Sequence, residues 1–239
     1  MSAVALRLLV VEDDDHIRTA LRWALEDEGY DVAEATGAEV ALEMVAVRPP
    51  DLMVVDLMLG EMDGFACIRE VRRSHDLPII VVSARNDTHD VVAALEAGAD
   101  DYVTKPFEVK EITARLRALR RRARTAAPET EPPTDEVLLD ADPQAPLVLR
   151  EARGTVHRGS EQLPLTLTEF RLLCELAASA GRVLSRQVLL ERVWGHDFFG
   201  DERLVDVHVR RLRTKVEKDP GDPRIVVTVR GLGYRLDRQ

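Results

Sequence analysis

Acidic side chains follow two apolar runs in the first half of the sequence. An EDD triplet that begins at Glu12 follows LRLLVV, and Asp56 closes LMVVD. Ser83 and Lys105 follow two later strand-like segments. Carboxylates that lie close together repel one another and favour a bound cation, and a ligand set made only of oxygens suits Mg²⁺. A carboxylate can also attack phosphorus, while a lysine neutralises the phosphoryl oxygens. The residue types therefore predict phosphoryl transfer to a carboxylate.

The elements around these residues alternate between strand and helix. This order predicts a doubly wound α/β fold with a five-stranded parallel sheet, and the site of such a sheet lies beyond the carboxyl ends of its strands. One polar residue at a strand end is ordinary, but residues from four strand ends meeting at one edge indicate a site. Strands are expected at Leu6–Val11, Asp31–Glu34, Leu52–Asp56, Ile79–Val82 and Asp101–Thr104, and helices at His16–Asp27, Ala38–Val47, Gly64–Ser74, Thr88–Ala97 and Glu108–Arg124.

The segment TAAPETEPPTDE interrupts this pattern. It carries three prolines and four acidic residues, and it has no large apolar residue with which to form a core. We therefore expect a phosphoacceptor domain at 1–124, a flexible linker at 125–136 and a second domain at 137–239. The second domain is expected to be an α+β winged helix-turn-helix. Its expected strands are Val137–Asp140, Leu147–Arg150, Thr155–Arg158, Gln162–Leu165, Ile225–Val229 and Tyr234–Asp237, and its helices are Thr168–Ala178, Ser185–Val193 and Arg203–Lys218.

Charge is divided unequally along the chain. Residues 1–146 hold 16 Lys and Arg against 30 Asp and Glu, whereas residues 147–239 hold 17 against 13. The basic half is therefore the candidate for contact with nucleic-acid phosphates, although two ordinary solvated surfaces would give the same numbers. No apolar run approaches the roughly 18 residues of a membrane span, and no signal peptide is evident, so we expect a cytoplasmic protein without a membrane. Neither of the two cysteines stands in a metal-binding spacing.

The helix expected at Arg203–Lys218 is amphipathic at about 100° per residue. Its apolar stripe should pack on the domain core, and its opposite face should be exposed. An arginine there could bond to guanine edges or phosphate, and a valine could contact a thymine methyl group. A solvated charged face is the ordinary alternative. The stripe is formed by Val205, Val209, Leu212 and Val216, and the opposite face by Arg203, Val207, Arg210, Arg211 and Thr214.

Residues 6–124 resemble a CheY-like receiver domain. The resemblance is carried in order by LLVVEDDDHIR, PPDLMVVDLMLGEMDG, PIIVVSAR and GADDYVTKPF. It implies that Asp56 is the phosphoacceptor. It also implies that Asp13, Asp56 and the main-chain carbonyl of Met58 hold Mg²⁺, with Glu12 acting through water.

The same resemblance implies the residues that respond to the phosphoryl group. Lys105 would pair with the phosphoryl group, and Pro106 would follow a cis peptide bond. Ser83 and Ala84 would lie against the phosphoryl group, and Ser83 and Tyr102 would form the switch pair.

Residues 137–239 resemble the effector domain of OmpR/PhoB-type regulators. The matching pieces are LTLTEFRLL, VLSRQVLLERVWG, RLVDVHVRRLRTKVE and TVRGLGYRL. Thr168 is expected to cap the first helix, with Glu169 in the first turn. The resemblance implies a sensor histidine kinase, promoter DNA with direct repeats, RNA polymerase and a homodimer formed on phosphorylation as partners. The implied DNA-binding residues are Arg203, Val207, His208, Arg210, Arg211, Thr214, Thr228 and Arg230.

Members of this family usually dimerise through charged pairs on the face of the fourth helix, fifth strand and fifth helix. The matching residues here are Asp100, Asp101, Glu111, Arg115 and Arg122. The basic partner that the family offers to Glu111 falls at Val91, so one pair is missing. Glu111 would then pair with Arg115 of its own helix, or Val91 would contribute by apolar packing.

Other functions fit parts of the pattern. Aspartate-based phosphatases resemble receivers, but they carry a second aspartate two residues after the nucleophile, where this chain has Met58. A receiver that no longer accepts phosphate would keep the same fold. An enzyme carrying a receiver would need a catalytic cluster in its second domain, and none is evident in the sequence. An output domain that binds protein rather than DNA remains an alternative that a DNA-binding assay separates.

Overall fold

The fold is described here from a computed structural model. The structure describes residues 5–60, 62–124, 136–195 and 201–239, without the side chains of 117–124. The chain divides into two compact units, Met1–Arg117 and Ala118–Gln239. The expected linker lies outside the described residues except for Glu136, where the first strand of the second unit begins. No helix among the described residues is long and apolar enough to cross a membrane.

The first unit is built on a parallel five-stranded sheet in the order β2-β1-β3-β4-β5. This confirms the doubly wound fold. The central strands β1, β3 and β4 are apolar and almost entirely buried, because helices cover both faces of the sheet. The strands are β1 (Arg7–Val11), β2 (Asp31–Ala35), β3 (Leu52–Val55), β4 (Ile79–Ser83) and β5 (Asp101–Thr104).

Five helices follow these strands, and aspartates cap three of them. The carboxylate of Asp14 accepts the N–H groups of His16 and Ile17, and Asp63 and Asp87 cap two later helices in the same way. Asp14 therefore has a local structural role. The helices are α1 (Asp15–Asp27), α2 (Ala38–Val47), α3 (Gly64–Arg72), α4 (Thr88–Ala97) and α5 (Val109–Arg124).

The second unit begins with a four-stranded antiparallel sheet and continues with three helices and a two-stranded hairpin. This order confirms the winged-helix fold. The sheet contains β6 (Glu136–Asp140), β7 (Leu147–Arg150), β8 (Thr155–Arg158) and β9 (Glu161–Gln162), with a short 3-10 helix at Glu151–Arg153. The later elements are α6 (Leu167–Ala178), α7 (Arg186–Trp194), α8 (Arg203–Val216), β10 (Val226–Val229) and β11 (Gly233–Leu236).

The start of α6 corrects one expectation. Thr166, not Thr168, is the N-cap, and its hydroxyl accepts the N–H of Glu169 while the Glu169 carboxylate accepts the N–H of Thr166. The sequence offers threonines two residues apart, and this capping box decides between them because it satisfies two N–H groups reciprocally. Thr168 lies inside the first turn and is buried.

The end of α8 is also set by a side chain. The helix ends at Val216 rather than at Lys218, and Glu217 takes an extended conformation. Its carboxylate accepts the N–H groups of Arg224, Ile225 and Val226 at 2.7–3.2 Å. Glu217 therefore ends the helix and holds the start of the hairpin.

The hairpin of β10 and β11 is attached to the turn before α7. Leu184 and Tyr234 exchange two backbone hydrogen bonds of 2.8 and 2.9 Å. Gly233 has a φ of +140°, and a Cβ atom placed there would lie 2.1 Å from the carbonyl oxygen of Leu184. Only glycine allows this close approach.

Candidate functional sites

The acidic residues converge at the carboxyl ends of β1 and β3. One carboxylate oxygen from each of Glu12, Asp13 and Asp56 lies within 4.8 Å of the others. Lys105, which follows β5, reaches the same point. Its Nζ lies 2.6 Å from Asp56 Oδ2 and 2.8 Å from Glu12 Oε2. The structure thus brings together four side chains that are up to 93 residues apart in the sequence.

The position of Asp56 is fixed by its main chain. Its N–H donates to the carbonyl of Val11 at 2.9 Å, and its Oδ1 accepts the N–H of Met58 at 3.0 Å. Gly64, the first residue of α3, lies directly against this segment. A Cβ atom on Gly64 would lie 2.2 Å from the Asp56 carbonyl oxygen and 2.7 Å from the Cα of Leu57. The helix therefore packs on the Asp56 backbone only because residue 64 has no side chain.

The electrostatics of the pocket leave an excess of negative charge. Burial raises the pKa of Glu12, against the lowering effect of Lys105. Burial lowers the pKa of Lys105, but the contacts with Asp56 and Glu12 outweigh it, and the net shift is upward. Lys105 is therefore protonated, and one ammonium group faces two buried carboxylates and the exposed Asp13.

This donor set fits a divalent cation of the magnesium type. The cluster offers three carboxylates and, at the described residues around it, no nitrogen or sulfur ligand. A charge of +2 would balance the carboxylates that Lys105 leaves uncompensated. Met58 lies at the mouth of this pocket, where its side chain is about half exposed. The assignment of Glu12, Asp13, Asp56 and the Met58 carbonyl as ligands remains a prediction.

Two residues that the sequence assigns to a switch lie beside the pocket. Ser83 is fully buried at the end of β4, and its Oγ accepts the N–H of Arg85 at 3.4 Å. Tyr102 on β5 donates its hydroxyl to the carbonyl of Arg85 at 2.5 Å, and burial raises the pKa of this tyrosine to about 12. Ala84 is exposed between Ser83 and Arg85. The Lys105–Pro106 peptide bond is cis, as expected.

The residues expected at a dimer face are engaged within the chain. Arg115 contacts Asp101 at 2.9 Å and Glu111 at 2.6 Å. The alternative in which Glu111 pairs within its own helix is therefore confirmed, and Val91 is half-buried on α4. The side chain of Arg122 lies outside the described residues.

Asp100 pairs with a different arginine from the one that contacts Asp101 and Glu111. It is 0% exposed, and its Oδ2 accepts from Arg72 at 2.6 Å and from the N–H of Ile79 at 2.9 Å. The sequence assigns Asp100 to the dimer interface, but a side chain that is fully buried within its own domain does not reach a partner subunit. A carboxylate can be buried here because an arginine on α3 and a main-chain N–H satisfy it.

Helix α8 buries the stripe that the sequence predicts, with Val205, Val209, Leu212 and Val216 at most 1% exposed. Two residues of the expected DNA surface are buried as well. Val207 is 6% exposed, and His208 is 0% exposed, with its ring centroid 5.2 Å from that of Trp194. Neither residue presents a contact surface in this structure. The resemblance implies that His208 binds DNA, but its ring packs against Trp194 in the core.

Arg211 is turned toward the core rather than toward solvent. Its Nη2 lies 3.0 Å from Glu169 Oε1, and Lys215 Nζ lies 2.6 Å from Glu169 Oε2. Glu169 itself is fully buried on α6. The exposed residues of α8 that belong to the expected surface are therefore Arg203, Arg210 and Thr214, with Thr228 and Arg230 exposed on the hairpin.

A cluster that the sequence reasoning missed joins α7, α8 and the hairpin. Asp206 Oδ1 accepts from Arg186 Nε at 2.7 Å and from the Tyr234 hydroxyl at 2.6 Å. Arg213 donates to Thr228 Oγ1 and to the Val226 carbonyl, both at 2.8 Å. The signal available in the sequence is the spacing of Asp206 and Arg213, two polar residues that are seven positions apart and therefore lie on one face of α8.

Both halves of the chain match known protein families. Residues 8–117 match the response regulator receiver domain, and residues 160–236 match the C-terminal domain of transcriptional regulatory proteins. The transcriptional regulatory protein AfsQ1 of Streptomyces coelicolor is 48% identical over 96% of this chain and 97% of its own length. The DNA-binding response regulator MtrA of Mycolicibacterium smegmatis is 45% identical over 98% of both chains.

Solved structures support the same two-part architecture. A structure of a RitR mutant covers 98% of this chain and 100% of its own, with a TM-score of 0.75 and 27% identity. The response regulator DrrB of Thermotoga maritima, an OmpR/PhoB homolog, has the same coverage, with a TM-score of 0.51 and 28% identity.

Proposed function

Because the chain belongs to the OmpR/PhoB-type response regulators, a non-enzymatic family of two-component transcription regulators, we propose that phosphorylation of Asp56 controls its binding to promoter DNA. The observation that carries the proposal is the contact of Lys105 Nζ with both Asp56 and Glu12. A lysine in this position already holds the carboxylate that would become phosphorylated and lies where the phosphoryl oxygens would arrive. We propose the cytoplasm as its location, where a histidine kinase and DNA are both accessible.

The proposed transfer uses groups that the fold holds in place. A carboxylate oxygen of Asp56 attacks the phosphorus of a phosphohistidine, the P–N bond breaks, and the leaving imidazole takes up a proton. The Met58 N–H, which donates to Oδ1, orients the attacking carboxylate. The Lys105 ammonium group, which contacts Oδ2 before the transfer, then neutralises negative charge on the phosphoryl oxygens. A Mg²⁺ ion bound by Glu12, Asp13, Asp56 and the Met58 carbonyl would supply further neutralisation of that charge.

The phosphatase alternative lacks its acid/base group. Met58 stands two residues after Asp56, and a thioether neither donates nor accepts a proton in the required way. The acyl phosphate should therefore persist long enough to act as a signal. In the proposed signalling state, Ser83 and Tyr102 respond to the phosphoryl group, and a homodimer forms through the face of α4, β5 and α5.

The DNA surface that we propose is smaller than the one expected from the sequence. Arg203, Arg210 and Thr214 of α8 would enter the major groove, and Thr228 and Arg230 of the hairpin would contact the backbone or minor groove. Val207, His208 and Arg211 are left out because they are buried or paired within the domain. Two effector domains of the dimer would occupy a direct repeat and present a surface to RNA polymerase.

The test of the proposal is the mass of the protein after incubation with Mg²⁺ and acetyl phosphate. The wild type should gain one phosphoryl group and bind its promoter more tightly, and Asp56→Asn should gain none. Labelling of the variant at the wild-type level would remove Asp56 from the mechanism. Promoter binding that is identical in both proteins would remove phosphorylation from the control of DNA binding.

A further inference from the structure

A side chain outside the acidic cluster holds the main chain of two of its members. Arg18, on the first turn of α1, donates from Nη1 to the carbonyl of Glu12 at 2.8 Å and to the carbonyl of Asp13 at 3.3 Å. Its Nη2 contacts the carboxylate of Asp15. One guanidinium group thus spans the loop between β1 and α1.

The arginine is itself held firmly. Its side chain is 12% exposed, its Nε lies 3.6 Å from Glu34 Oε1 on β2, and its backbone N–H donates to the Asp14 carbonyl at 2.9 Å within α1. The spread of donors over the guanidinium group explains the residue type. Nη1 reaches the two carbonyls while Nη2 and Nε reach the Asp15 and Glu34 carboxylates, and a single ammonium centre would not reach all of these groups.

We propose that Arg18 is a positioning residue for the cation site, acting through the main chain of Glu12 and Asp13. This inference rests on the proposed function, since it concerns the same Mg²⁺ site. By fixing two consecutive carbonyls, Arg18 sets the direction in which the two carboxylates leave the loop. The arginine does not touch the phosphoryl group or its acceptor.

A positioning role and simple electrostatics predict opposite changes in Mg²⁺ affinity when Arg18 is removed. Arg18 is a positive charge beside a cation site, so its removal should strengthen Mg²⁺ binding if charge alone matters. If Arg18 orients the ligands, its removal should weaken binding, because groups that orient metal ligands typically contribute about tenfold or more to affinity. The direction of the change therefore separates the two roles.

Arg22 provides a matched control. It lies one turn further along α1 and contacts the same Glu34, with its Nε 3.1 Å from Oε2. Its other carboxylate contact is with Glu26 at 3.8 Å. The contacts that Arg22 makes among the described residues do not include residues 12–14, so Arg22→Ala removes a comparable charge and the Glu34 pair without releasing the loop.

The experiment measures the Mg²⁺ dissociation constant of the full chain by titration with MgCl₂, followed through the amide signals of residues 12–14 and 56. We expect Arg18→Ala to raise the dissociation constant by roughly tenfold, Arg18→Lys to raise it by less, and Arg22→Ala to leave it unchanged. Thermal unfolding without Mg²⁺ shows whether each variant is folded. If Arg18→Ala is unfolded, the Mg²⁺ affinity of Arg18→Lys tests the inference in its place.

Three results would overturn the inference. The first is tighter or unchanged Mg²⁺ binding by Arg18→Ala. The second is a loss of Mg²⁺ affinity in Arg22→Ala that equals the loss in Arg18→Ala. The third applies if Arg18→Ala is unfolded, and it is wild-type Mg²⁺ affinity in Arg18→Lys. A wild type that does not bind Mg²⁺ would instead overturn the proposed function itself, and with it the inference that rests on it.

Discussion

Arg211 of α8 and Glu169 of α6 form an ion pair in which Glu169 is fully buried, with Nη2 and Oε1 3.0 Å apart. Since removal of one member of a buried pair is costly, Arg211→Ala should lower the free energy of unfolding by about 3 kcal/mol, the lower end of the usual range because Lys215 remains beside Glu169. Urea unfolding followed by the fluorescence of the buried Trp194 measures this loss.

Arg210 is the matched neighbour, because it is exposed on the same helix. Arg210→Ala should lower the unfolding midpoint less than Arg211→Ala does, and it should weaken promoter binding by about 1–3 kcal/mol with relaxed sequence preference. A relaxed preference in a fully stable Arg211→Ala would show instead that Arg211 leaves Glu169 to read a base.

The same pair predicts how stability depends on pH. Burial raises the pKa of Glu169, but Arg211 and Lys215 outweigh it, so the pKa lies below its ordinary value of 4.5. The ionised carboxylate therefore contributes stability above pH 4.5, and that contribution is lost as pH falls through the lowered pKa. The difference in Tm between the wild type and Glu169→Gln should shrink as pH falls from 7 to 3. A constant difference would contradict this prediction.

Gly64 predicts a link between helix packing and phosphorylation. A methyl group at this position would meet the Asp56 carbonyl at 2.2 Å, so Gly64→Ala must displace the main chain of the phosphoacceptor or the start of α3. We expect a loss of about 1–3 kcal/mol in stability and slower labelling by acetyl phosphate. Gly37→Ala is the control, because its nearest contact is the Glu39 carboxylate at 3.7 Å. Equal labelling rates in the two variants would refute the link.

Val91 tests the proposed dimer face. Glu111 is already paired with Arg115, but its side chain is 43% exposed, so a second cation could still reach it from a partner subunit. Val91→Arg should tighten association of the phosphorylated protein by the roughly 0–1 kcal/mol of an exposed pair, and more so at low salt. Sedimentation with a phosphoryl mimic measures it. Weaker association would mean that Val91 packs in the interface or that another face is used.

The acidic pocket was predictable because parallel strands bring their carboxyl ends to one edge, so strand order alone places Glu12 and Asp56 together. The orientation of α8 was predictable only in part. The apolar stripe is correct, but the exposed face is narrower than the sequence predicts, because the buried sector is wide enough to include Val207 and His208. Sequence reasoning also places arginines in solvent, whereas Arg211 pairs with the carboxylate of Glu169, 42 residues earlier in the chain.

The burial of Asp100 shows a different limit. Its partner Arg72 precedes it by 28 residues and belongs to α3, whereas Asp100 lies just before β5. Arg72 also donates to the carbonyls of Gly98 and Leu77. No periodicity in the sequence marks such a contact. Local patterns predict which residues face a core, but a buried charge depends on a partner that only the fold supplies.

The strand-like pairing between Leu184 and Tyr234, together with the contacts of Arg213 with Thr228 and Val226, has a consequence for recognition. A hairpin attached only by its ends would lose conformational entropy on meeting DNA. Here the folded domain already joins the hairpin to the turn before α7 and to α8. Much of the entropy loss of ordering the hairpin therefore occurs during folding and not during DNA binding. On the proposed DNA surface, the helix and the hairpin would therefore meet the two grooves at a fixed separation, and sites that alter groove spacing should be rejected by rigidity rather than by the loss of any single contact.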